Sequence, residues 1–359
     1  MQPNPFLGVF LHSIGGLAAA SFYVPYRRVR GWAWETFWLT GGLFSWIVAP
    51  WVVSLIAAPD TVAILRESPR SSVVWAYLFG LLWGVGGLTF GLSMRYLGIA
   101  LGYAVALGFC AGLGTLVPPL FHGELGGYFL HHSGRVTLFG VAVSLVGIAI
   151  SGMAGRSKER ELSEEAKQAT IREFSFVKGI VVAIFAGVMS ACMAFAIDAA
   201  GPIGKIAVAH HVPDLFQTSP AFIVIMAGGF TTNFVWCVLL SIRNRTASDY
   251  VDAKKPLALN YLLCIVAGVT WYLQFMFYGM GSTQMGDYKF SSWALHMSAI
   301  IIFSTLWGIA LKEWRGTGAR TRALVAAGLV VLIGSMLIVG YGNNLEAARK
   351  AAEAAVQTR

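Results

Sequence analysis

Charge is scarce in this chain. Only 12% of its 359 residues are charged, about half the share in soluble domains. No stretch is long and polar enough to fold as a separate soluble catalytic domain. Cysteine is rare as well. Cys110, Cys192, Cys237 and Cys264 all fall inside apolar runs. They read as small buried hydrophobes, which excludes a disulfide framework and a CxxC metal site. The phosphate-cradling GxxxxGK[ST] loop, the HExxH zinc helix, GxSxG and a GxGxxG opening a helix after a strand are all missing. ATP-driven chemistry within the chain and the common hydrolase sites are therefore not expected. The histidines at 122, 131, 132, 210 and 211 lie between apolar runs without a spacing that converges ligands, so no metal is expected. None of the 17 acidic residues falls in the middle of an apolar run.

What the chain has instead is apolar length. Hydrophobic residues make up 57% and the mean hydropathy is +0.67. About 20 apolar residues cross a bilayer, and such runs recur at about 5–24, 35–58, 73–94, 97–120, 135–154, 177–200, 216–242, 258–281, 288–311 and 323–342. Each should be an α-helix, because in lipid every backbone group must be satisfied within its own segment. The expectation is an all-α integral membrane protein of ten helices. The first run has no Lys or Arg before it and is too long for a signal-peptide core, so it is expected to be retained.

The 26 basic residues exceed the acidic ones by nine, and their placement carries the information. Eighteen fall after odd-numbered runs, among them Arg27, Arg28 and Arg30, then Arg243, Arg245, Lys254 and Lys255. Basic residues stay on the cytoplasmic side, so both termini are expected on the outer, periplasmic side. Dispersal among juxtamembrane loops argues against nucleic acid as a partner; the lipid bilayer is the expected one.

The ten runs divide five and five around residues 155–178, which carry six basic and five acidic residues and read as a charged cytoplasmic linker. Residues 1–154 and 179–342 would be two repeats, with 343–359 a C-terminal tail. The halves share weak similarity: Gly8 through Gly16 can be laid on Gly179 through Gly187, and Trp83–Val85 on Ala267–Val269. An odd helix number per repeat turns the second copy upside down, giving two inverted five-helix repeats with a midplane site between them.

That site is expected around Gly268–His296, where Trp271, Gln274, Trp293 and His296 lie in or beside membrane-length runs. A buried polar group without a partner costs roughly 2–7 kcal/mol, so these must face protein, water or ligand. Trp supplies a flat apolar face beside one donor, which suits a sugar. His12 lies mid-run in the first repeat. It is either a histidine bonded to a neighbouring helix or a ligand-binding or proton-coupling group. Glu35 starts the second run, where it either pairs with Arg27 or Arg30 or carries a proton. Residue chemistry alone therefore stops at a secondary transporter. An integral-membrane enzyme or sensor using His12 and His296 as acid–base groups is the alternative from another class.

Several stretches taken together resemble the L-rhamnose–proton symporter family of the drug/metabolite transporter superfamily: His12 with Ser21–Pro25, Trp32–Thr36, Met94–Gly98, Trp271–Phe275, Ser292–Ser298 and Leu311–Trp314. The resemblance covers nearly the whole chain. It implies ten helices, a central cavity and sugar uptake driven by a co-transported proton with no other cofactor. The site would be in a monomer of the bacterial inner (plasma) membrane, with His12, Trp271, Gln274, Trp293 and His296 binding L-rhamnose and Glu35, or His12, holding the proton. Export or exchange of another small polar metabolite is the alternative within the superfamily. Tyr288–Phe290 departs from the family's Tyr-Asp-Tyr pattern, with Lys289 at its centre and Asp287 before it, and Asp198 stands where an amide is expected.

Overall fold

The computed structural model describes residues 3–97, 99–161 and 176–357. Among them lie ten helices long and apolar enough to cross a membrane. These are α1 (Pro5–Ser21, continued by a short turn to Tyr26), α2 (Trp34–Ala57), α3 (Arg70–Leu97), α4 (Ile99–Phe121) and α5 (His132–Glu161) in the first half. The second half has α6 (Phe176–Ala199), α7 (Ser219–Asn244), α8 (Leu257–Thr283), α9 (Ser291–Ala310) and α10 (Ala319–Gln357). Short helices at Thr61–Glu67 and Gly201–Ala209 lie in the α2–α3 and α6–α7 connections.

The observed helices cover the expected runs, with differences that have physical causes. α4 runs through Pro118 and Pro119 and ends two residues later. α2 widens into a π-helical stretch at Leu43–Val48 just before Pro50, whose missing N–H leaves the carbonyl one turn earlier without its usual donor. α5 continues to Glu161, so the charged segment begins as helix; residues 162–175 lie outside the described ones. The tail is helical too, as the end of α10. Its alanines favour helix, and Arg349 pairs with Glu346 and Glu353 one turn away on either side.

Packing follows a regular scheme. α1 packs on α8 and α9, and α6 packs on α3 and α4. α3 packs on α7 and α8 on α2, while α5 and α10 pack on each other at one side. Exchanging each helix for the one five later maps these contacts onto themselves. Small residues permit the closest crossings. A Cβ on Gly80 would come within 2.2 Å of the Ile225 carbonyl oxygen, so α3 and α7 meet backbone to backbone. Gly108, by contrast, has nothing within 4 Å, so not every glycine on these helices marks a close crossing.

Candidate functional site

A cavity of about 640 Å³ enters the bundle from the end formed by the α4–α5, α6–α7 and α8–α9 connections. Its apolar wall includes Ala194, Ile197 and Phe222, while Asp198, Gln217 and Thr218 supply polar groups. Tyr278 from α8 and Trp293 from the first turn of α9 complete the wall, their rings edge-to-face at 5.7 Å. Trp293 is buried, and its Nε1 donates to the Cys110 carbonyl oxygen at 3.1 Å. Gly114 makes room for this indole: a Cβ there would lie 2.4 Å from Nε1. The α8–α9 turn that delivers Trp293 needs Gly286, whose φ of +58° lies in the left-handed region.

Behind Tyr278 and Trp293, α1, α8 and α9 bury a group of polar side chains. His12 and His296 are both 0% exposed. Their rings stand 6.4 Å apart, and each meets Tyr278 edge-on at 5.2 and 5.3 Å. α1 reaches this point closely, since a Cβ on Gly15 would be 2.9 Å from the Gln274 carbonyl oxygen and 3.3 Å from His296 Cε1. Neither nitrogen of either imidazole, nor Nε2 of Gln274, has a hydrogen-bond partner among the described residues. A buried unpaired donor or acceptor costs about 1–3 kcal/mol, so the packing around the cluster holds these side chains where protein offers them no partner.

The opposite end of the bundle carries the basic loops and is closed. Trp271 sits there, packed on Phe22 at 4.3 Å and Phe275 at 5.9 Å. Trp38 joins the plug through Phe22 and Tyr26. Polar contacts bind the closure together. Asp249 accepts from the Ala33 N–H at 2.8 Å, Thr36 Oγ1 at 3.0 Å and Lys255 Nζ at 2.5 Å. Burial pushes the Asp249 carboxyl up, but these donors outweigh it and hold the group below its ordinary value. Asn260 brackets Arg30, taking its N–H and donating to its carbonyl.

Glu35 belongs to this closed end. The pairing with Arg27 or Arg30 is not found; Arg27 lies 3.5 Å from Glu313 instead. Glu35 is 4% exposed, and its Oε1 accepts from Asn244 Nδ2 and Thr246 Oγ1, both at 2.9 Å. The reason is geometric. The chain before α2 turns outward at the arginines, while the first turn of α2 faces the end of α7.

Of the residues expected from sequence, then, Trp293 lines the cavity. His12, Gln274 and His296 gather behind its wall, and Trp271 lies at the closed end. Trp271, Gln274 and Tyr278 are spaced i, i+3 and i+7, so one face of α8 runs from closed end to cavity. That spacing was the available signal for Tyr278. His122, which the sequence places between apolar runs, is exposed and hydrogen-bonded to Asp198 at 2.9 Å on the cavity wall. No grouping of three or more metal-ligating side chains occurs among the described residues.

The model of the L-rhamnose-proton symport protein family matches residues 1–345. An L-rhamnose-proton symporter from Cronobacter sakazakii is 41% identical over 340 residues, covering 94% of this chain and 97% of its own. Those from an Enterobacter species and from Shigella sonnei are 38% identical over the same shares.

Proposed function

Because the chain belongs to the L-rhamnose-proton symporter family, we propose that it imports L-rhamnose together with a proton across the bacterial inner membrane. The family is one of transporters, so the membrane-enzyme alternative falls away. The observation that carries the proposal is the buried cluster of His12, Gln274 and His296, whose two imidazoles pack against the Tyr278 ring that lines the open cavity. A pyranose offers both an apolar ring face and a ring of hydroxyls. The indole of Trp293 would stack on the face. The unpaired nitrogens of His12, Gln274 and His296 would take up hydroxyls once Tyr278 swings aside, which offsets the cost of their isolation.

Transport would alternate between this state and one opened at the end now sealed by Trp271 and its aromatic neighbours. The self-matching packing scheme of α1–α5 and α6–α10 supports two inverted repeats, residues 1–154 and 179–342, as the moving parts. Under this reading the charged segment and the aromatic plug face the cytoplasm, both termini the periplasm, and the monomer is the working unit. Glu35 would exchange its proton at the cytoplasmic end when that plug and its Asn244 and Thr246 contacts separate, with His12 the other candidate. One proton crossing 100 mV releases about 2.3 kcal/mol and a unit of pH about 1.4 kcal/mol. Together they would sustain on the order of a few hundred-fold accumulation of sugar.

The test is uptake by purified protein in liposomes. L-rhamnose should accumulate when the interior is alkaline and negative, and not in the presence of a protonophore. Accumulation of a different metabolite, with no response to L-rhamnose, would make the chain a transporter of other cargo, the alternative within the superfamily.

A further inference from the structure

The sealed end holds a second group of isolated polar side chains, about one helix turn from the histidine cluster. Trp271 precedes Gln274 by three residues on the same face of α8. Across a small void from it are Ser45 and Trp46, in the π-helical stretch of α2. Ser45 is 1% exposed and Trp46 4%. The void measures about 10 Å³, far less than a sugar requires. Ser45 Oγ, Trp46 Nε1 and Trp271 Nε1 have no hydrogen-bond partner among the described residues.

Neighbouring groups of the same kind are satisfied. The indole of Trp38, which lines the same void, donates to Asn233 Oδ1 at 3.0 Å. Ser13 on α1 and Ser151 on α5 return their hydroxyls to the carbonyl four residues back, at 2.8 and 2.9 Å. Gly42 leaves room for the Trp46 ring, since a Cβ there would lie 2.4 Å from Cζ3. Beside the void α2 and α8 cross backbone to backbone, a Cβ on Gly268 falling 2.2 Å from the Gly41 carbonyl oxygen. π-helical stretches are rare and are found frequently at functional sites.

We infer that Ser45, Trp46 and Trp271 form an inner sugar subsite, which takes L-rhamnose from the histidine cluster and holds it before release to the cytoplasm. This deepens the symport proposal and rests on it. The chemistry repeats that of the outer site: indole faces for the apolar side of a pyranose, beside donors that no protein group takes up. Sugar hydroxyls reaching these groups offset the cost of their isolation. The sealed state leaves no room, so the subsite forms only when α2 draws away from α8. Pairing the three groups with sugar then stabilises the opened state relative to the sealed one. That differential affinity favours inward opening with sugar aboard.

The test is exchange of labelled L-rhamnose in liposomes that hold the full chain in one orientation, cytoplasmic end inward. Sugar concentration is varied separately on each side. Trp46→Phe keeps an aromatic ring and removes the N–H, while Ser45→Ala removes the hydroxyl. Both are checked for folding by their melting profiles. The internal L-rhamnose concentration giving half-maximal exchange should rise about fivefold or more in at least one of them. The external concentration should stay as in the parent. Parent-like internal values in both folded variants would overturn the inference, as would external values that rise as far as the internal ones. Either result leaves L-rhamnose transport intact. A parent that exchanges no L-rhamnose would overturn the symport proposal itself.

Discussion

His12 and His296 face each other with ring centroids 6.4 Å apart at the junction of α1 and α9, and neither imidazole has a hydrogen-bond partner among the described residues. They come from sequence positions 284 residues apart, one in each half of the chain. A sugar hydroxyl bridging them would bind both halves at once. His12→Gln and His296→Gln should each weaken L-rhamnose binding roughly 5–150-fold, the cost of about 1–3 kcal/mol for a lost desolvated hydrogen bond. Calorimetric titration checks this. Parent-like affinity in both variants would make the pair a packing feature.

Trp293 should matter through its ring and its placement. Trp293→Ala should weaken binding by a similar factor, while Trp293→Phe keeps a stacking face and should lose less. Gly114→Val tests placement without touching the indole chemistry. A branched side chain there overlaps the space held by Trp293 Nε1, so it should displace the ring and weaken binding in a chain that still folds. Tryptophan fluorescence on sugar addition would follow the displacement.

Glu35→Gln should separate sugar movement from the proton gradient. The amide keeps the size of the side chain and an acceptor for Asn244 and Thr246, but it cannot titrate. In liposomes, gradient-driven accumulation should be lost. Accumulation equal to the parent would move the inner proton site elsewhere, with His12→Gln the next variant to assay.

Orientation is tested by reporter fusions. A reporter after Glu161 should read cytoplasm and one after His211 the outer side, following the excess of basic residues in odd-numbered connections. The reverse pattern at both sites would invert the transporter. Matching signals at the two sites would contradict an odd number of crossings between them.

His210 gives a pH signature in stability rather than transport. Its ring nitrogens lie 2.9 Å from Glu67 Oε2 and 3.5 Å from Asp60 Oδ2. These carboxylates raise the imidazole above its ordinary value of 6.5. A raised folded-state pKa adds stability that is fully present below the unfolded value and lost as pH rises through the folded one. The melting temperature in detergent should therefore fall slightly from pH 6 upward. His210→Gln should remove that part of the slope, and an unchanged profile would show that the pair is too solvated to count.

The sequence alone determined that the chain is a membrane protein of ten helices. Length and hydropathy of each run are local properties, and a helix satisfies its own backbone in lipid without help from distant residues. It also marked His12, Gln274, Trp293 and His296, because polar groups in such runs need an explanation wherever they end up. Tertiary structure alone decided what those residues do for one another. Trp271 and Gln274 are three residues apart on one helix face, yet one belongs to the sealed end and the other to the histidine cluster, since α8 spans both. Glu35 meets Asn244 and Thr246 rather than the nearby arginines, because the end of α7 is folded against the start of α2. His122 and Asp198 are 76 positions apart and carry no shared motif, so only the packing of α4 on α6 brings acid and base together. Hydropathy is written along the chain one helix at a time, whereas a site between helices depends on which faces meet.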